Sequence, residues 1–75
     1  MSEYDLYMIL WEGGYEPASI FMHINPIASA NKFREWTETA DLTEEMVNAY
    51  GCKMDGAGQY ILTMLQYKDG LLITP

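Results

Sequence analysis

Cysteine, histidine and basic residues are all scarce in this chain, and each shortage excludes a class of function. Cys52 is the single cysteine. No intrachain disulfide can form, and a reducing compartment is the simpler expectation. With His23 as the single histidine, the pair falls short of the four ligands of a structural zinc site, so neither a metal nor another cofactor is expected. Lys32, Arg34, Lys53 and Lys68 stand alone against eleven Asp and Glu, a formal net charge of −7. Phosphate neutralisation needs clustered Lys and Arg, so direct nucleic-acid binding is disfavoured, and an anionic membrane surface is disfavoured for the same reason. Long hydrophobic runs are missing too, and Met1-Ser2-Glu3 places no basic segment ahead of an apolar one. Neither a membrane span nor a secretory leader is expected, which puts the protein in the cytoplasm, or in the host cytoplasm if the source is a virus.

What the chain does have is enough apolar material to fold. Seventy-five residues of which 49% are hydrophobic suit one domain spanning 1–75, with a thin core that leaves stability marginal. Residues 4–11 alternate, with Tyr4, Leu6, Met8 and Leu10 on one side and Asp5, Tyr7, Ile9 and Trp11 on the other, the period of a strand. Glycines and a proline at 12–17 make a connection to a second strand over 18–24, forming an antiparallel hairpin. Asn25-Pro26 is a helix start, since Asn caps free amides and proline at the first helical position has no donor to lose. A helix is placed over 26–40, with Ile27, Ala30, Phe33, Trp36 and Ala40 as its apolar side. Asp41 or Thr43 then caps a second helix running to Tyr50, which Gly51 ends. Residues 52–59 read as a loop, 60–67 as a strand, Lys68-Asp69-Gly70-Leu71 as a type I′ hairpin turn and 71–74 as a closing strand.

The expectation is therefore an α+β fold in the order ββααββ, a four-stranded, mainly antiparallel sheet with both helices on one face. The strands are apolar on both sides. One face bears Tyr7, Ile9, Trp11 and Phe21, and such contiguous apolar area marks a contact site; which face the helices cover stays open.

Catalytic motifs are not found. His23 reads as a packed or surface structural residue, and Cys52 as a small hydrophobe, since a thiol nucleophile needs an adjacent base and nothing in the sequence brings the two together. Asp55-Gly56-Ala57-Gly58 lacks the Lys-Ser/Thr of a phosphate cradle and the final Glu of a calcium loop. No carboxylate pair stands out for glycosidase chemistry. A non-enzymatic protein is expected.

Glu35, Glu38, Asp41, Glu44 and Glu45 form the one dense cluster of acids. It reads first as a solvated helix face and, in the sharper reading, as a negative ridge fitted to a basic protein groove that otherwise holds nucleic acid. Lys32 and Arg34 interrupt it. Small acidic proteins without enzyme motifs include phage-encoded inhibitors of CRISPR and restriction complexes, a likeness of class. The expected function is thus a protein-binding module, an inhibitor of this type, touching its partner through those acids and through Tyr7, Trp11 and Phe21. The alternative is a structural or assembly protein that forms a homodimer through its apolar sheet face.

Overall fold

The computed structural model describes residues 3–75. Five strands and one helix follow one another as β1 (Leu6–Gly13), β2 (Ser19–His23), α1 (Pro26–Thr39), β3 (Glu45–Met54), β4 (Tyr60–Lys68) and β5 (Leu71–Ile73). They build one antiparallel sheet in the order β2-β1-β3-β4-β5. Period-two alternation is borne out in β1, β2, β4 and β5, with boundaries shifted by one or two residues. In the turn between β4 and β5, Asp69 and Gly70 both adopt positive φ (52° and 81°), which is what a two-residue I′ turn demands of its central pair.

The expectation of four strands and two helices is overturned: the stretch taken as a second helix and the loop after it is β3, the central strand of the sheet. The local signals were genuine but stop after one turn. The Asp41 carboxylate accepts from the Thr43 amide and hydroxyl, the Glu45 carboxylate accepts from the Asp41 amide at 2.8 Å, and the Asp41 carbonyl accepts from the Glu44 and Glu45 amides. From Glu45 onward the chain pairs on both sides, with β1 along 45–52 and with β4 along 49–54. Two complete ladders outweigh the modest helix preference of a few residues. Gly51 is not a helix stop. A β-carbon there would lie 2.6–2.7 Å from the ring of Tyr4, so its missing side chain is the space that ring occupies. The Tyr4 ring also meets Tyr7 edge-on at 5.8 Å, and its hydroxyl shares a 2.7 Å hydrogen bond with Thr74.

Register fixes the two faces. Tyr7, Ile9 and Trp11 lie across from His23, Phe21 and Ser19 on one side and from Gly51, Ala49 and Val47 on the other. These residues share the face that α1 covers, with buried Ala30 of the helix and Leu65 and Leu72 of the last hairpin completing the core. Small Ala49 on the central strand gives the helix room to approach, and buried Ala30 of α1 joins it in the core, with Ser29 buried beside it. Phe33 and Trp36 are half-buried against the core, as expected, whereas Ile27 is exposed.

The helix starts where the sequence placed it. The Asn25 side chain accepts from the Ile27 and Ala28 amides at 2.8 and 3.4 Å, and Pro26 is the first helical residue. Asn25→Ala should lower stability by about 1 kcal/mol, read as a shift in urea midpoint at unchanged slope, because two amides at the helix start lose their acceptor.

Candidate interaction surface

Among the described residues no element covers the face of the sheet opposite α1, which is bare. Its residues are the alternate set of each strand. One row runs Met22, Met8, Tyr50, Met64 across four strands, a second runs Leu6, Cys52, Leu62, and a third runs Ile20, Leu10, Asn48. Met46 and Glu12 lie at one end, Met54 and Tyr60 at the other, and Leu71 and Ile73 continue the face on β5. Met8, Met22, Met46, Met54 and Met64, every methionine among the described residues, project from this side. Ile20, Met22, Met46, Leu62 and Met64 each leave more than half of their surface in water. By strand register the charges here are Glu12 and Lys68, both toward the Met46 end. In a two-layer domain an uncovered face alternates to polar; this one does not.

That placement settles which face the helix covers, and it takes Tyr7, Trp11 and Phe21, expected at a partner contact, to the α1 side. Tyr7 is buried, and Trp11 and Phe21 are half-buried under the helix, where Trp36 packs on Trp11 at 5.5 Å and edge-on to Phe21 at 6.5 Å. Tyr7 is core, Phe21 packs against it, Trp11 packs on Trp36, and none of the three belongs to the bare face. The sequence carried a signal for the correct choice: methionines fall on one parity of the strands and the aromatic residues under α1 on the other.

The five acids of the cluster divide. Glu35 forms a 2.7 Å ion pair with Lys32, whose ammonium also sits over the Phe21 and Trp36 rings at 5.3 and 5.8 Å. Asp41 and Glu45 hold the turn into β3, and the Thr43 hydroxyl and amide keep the Asp41 carboxyl below its ordinary value of 3.8. That contribution is present above the ordinary value and is lost as pH falls through the lowered one. Glu38 and Glu44 are exposed and make no side-chain hydrogen bond or ion pair among the described residues. Elsewhere Asp5 accepts from the Met54 amide at 2.7 Å and Asp55 accepts from Ala57 and Gln59 at 2.8 and 2.9 Å. Much of the negative charge therefore ties down turns and strand ends.

His23 and Cys52 lie on opposite faces, since His23 pairs with Tyr7 and Tyr7 with Gly51, one residue from Cys52. The His23 Nδ1 accepts the Asn25 amide at 2.9 Å and the ring stacks on Phe21, which shapes the turn from β2 into α1. Burial pushes the Cys52 thiol up from its ordinary 9.0. A neutral, covered thiol is a poor nucleophile. Alkylation of Cys52 at neutral pH should be at least about tenfold slower in the folded protein than in urea, followed by mass spectrometry. The same shift makes folding indifferent to this thiol below pH 9.0, with stability lost as pH rises from there through the raised value.

A half-open depression of about 160 Å³ lies between Trp11, Glu16, Pro17 and Glu45, smaller than the roughly 300–1,000 Å³ of typical ligand sites. Among the described residues no group of three or more His, Cys, Asp or Glu is placed to hold a metal ion, and no helix is long and apolar enough to cross a membrane. Comparison with protein-family models, with curated proteins and with solved structures finds no match to this chain.

Proposed function

We propose that this protein is a non-enzymatic binding module whose working surface is the bare face of its sheet. One observation carries the reading: a contiguous apolar face, five methionines among its residues, spans all five strands with charge confined to one end. Monomeric proteins rarely expose an apolar patch above a few hundred Å² unless something binds it. Methionine side chains are unbranched and polarizable, so they conform to an apposed surface. Methionine footprinting tests this directly, comparing dilute pure protein with concentrated protein and with an extract of the source cell. Met22 and Met64 should become protected in at least one of the latter two. Equal reactivity in all three sinks the reading.

A second contact is favoured by the net charge of −7 together with Glu38 and Glu44, which have no side-chain partner among the described residues. These acids suit a basic protein groove, the mode of a phage-type inhibitor of a nucleic-acid-handling complex. In that mode the protein displaces duplex DNA from a basic groove, and Glu38→Lys with Glu44→Lys slows association steeply at low salt. Displacement that is unchanged by the double reversal removes this contact and leaves the sheet-face reading intact.

A further inference from the structure

The geometry points to a second copy of this chain as the occupant of the bare face, in a two-fold symmetric dimer whose sheets stack face to face with both helices outside. This inference rests on the reading of that face as the working surface and names what covers it.

The first argument is the core. Among the described residues the buried apolar ones are Tyr7, Ile9, Ala30, Ala49, Cys52, Leu65 and Leu72, two of them alanines, and of these Cys52 alone belongs to the bare side. A domain this small rarely stabilises itself on so little, and oligomerisation is one of the few remedies open to a chain without disulfides. Stacking a second sheet about 10 Å away turns the rows through Met8, Tyr50 and Met64 into the middle of a second core.

The second argument is where the charge lies. With a net −7 per chain, self-association is opposed unless the acids are kept away from the interface. Of the acids within the strands and the helix, Glu12 alone lies on the bare face, at its end; Glu45 is on the α1 side by register, and Glu35 and Glu38 sit on α1, on the far side of the sheet from the interface. Two helix-on-sheet layers and one sheet-on-sheet layer, each about 10 Å, separate the helices of the two copies by about 30 Å. That is several times the screening length of about 8 Å at physiological salt. A basic partner finds its complement on the helix side; the bare face offers it nothing charged except Glu12 and Lys68 at one end.

The third argument is size and chemistry. Strands of 8, 5, 10, 9 and 3 residues, about 4.8 Å apart and rising about 3.3 Å per residue, make a face of on the order of 500 Å² in projection. Side chains standing off such a face bring its accessible area toward the roughly 800 Å² per partner of a standard interface. The polar groups within it, Asn48, the Tyr50 hydroxyl and Gln66, each donate and accept, so a two-fold copy can answer them with the same groups.

Sedimentation velocity and light scattering over a wide concentration range provide the test. The wild-type chain should have twice its 8.6 kDa mass at micromolar concentration. Leu62→Lys and Met64→Lys, at side chains more than half exposed in the single chain, should each weaken dimerisation by at least about a hundredfold, since the interface would bury an unpaired ammonium. Circular dichroism should show both variants folded in water but with a lower urea midpoint than the wild type, the stability that the second copy adds. Because lysine lowers the net negative charge, added repulsion cannot explain the loss. Glu38→Lys, on the helix side, should leave the mass unchanged. A wild-type monomer at every concentration up to about 1 mM overturns the dimer, as does a dimer unaffected by both lysines. If that monomer still shows Met22 and Met64 protected in cell extract, the bare face binds a foreign protein; without protection, the working-surface reading falls as well.

Discussion

Replacing Gly13 by alanine should destabilise the protein by about 3 kcal/mol or more, the larger end of what one backbone position can cost. Gly13 closes β1 at φ 110°, a conformation that L residues rarely adopt. Space adds to the strain. A β-carbon there would lie 2.7 Å from the Glu44 carbonyl oxygen and 2.9 Å from the Glu45 Cα, both backbone atoms that no rotamer change can move. Relief requires displacing the start of β3, where Gly13 pairs with Glu45, and so the turn that Asp41 and Glu45 hold. Gly56→Ala is the matching control: no atom lies within 4 Å of its added β-carbon and its φ is ordinary. That change should be neutral, or stabilising by a few tenths of a kcal/mol through the unfolded chain. Urea unfolding of both variants measures the contrast, and equal midpoints would contradict the Gly13 geometry.

Ile9→Ala should cost about 3–4 kcal/mol, within the 2–5 kcal/mol typical of buried aliphatic truncations. Ile9 is fully buried at the middle of β1, between Phe21 on β2 and Ala49 on β3. Its neighbour Ala49 is already as small as a side chain can be without being glycine, so little can collapse into the space left. A 75-residue domain commands about 4–11 kcal/mol in all, so the variant should melt about 15–25 °C lower and be partly unfolded at 37 °C. Ile27→Ala, at a position 57% exposed on α1, should stay within about 0.5 kcal/mol of the parent. A small effect at Ile9 would mean that the core under the helix is not packed as described.

Much of this architecture is written in local pattern. Alternation in residues 6–13 and 60–68, the Asn25-Pro26 start of α1 and the Asp69-Gly70 turn each have one physical solution, and the chain adopts it. Residues 45–54 do not. Thr43-Glu44-Glu45 begins like a capped helix, and Ala49 and Gly51 look like a helix former followed by a helix stop. In the sheet, those same small residues are wanted because Tyr4 lies over Gly51 and Ala49 belongs to the core under α1. A residue kept small by a neighbour distant in sequence carries no local trace of the reason.

The two faces were ambiguous for a related cause. Both sides of β1 and β2 are apolar, so hydrophobicity alone could not say which one the helix would cover. Shape decided. The side with Ala49 on the central strand takes Ala30 of the helix into the core, and the aromatic side chains of Trp11, Phe21 and Tyr67 meet Trp36 and Phe33 of the helix there.

By itself the sequence determined the composition-level facts: a strongly acidic chain, one thiol that cannot cross-link within it, no cluster of bases for phosphate, and strands too apolar to leave both faces in water. Those depend on residue types and short spacings alone. Only the tertiary structure decided that residues 45–54 are the central strand, that Tyr7, Trp11 and Phe21 lie on the α1 side, that the methionines are the exposed side, and that His23 and Cys52 face opposite ways. Each of these turns on pairing between segments far apart in the chain, where the register of one strand against another sets which way every side chain points.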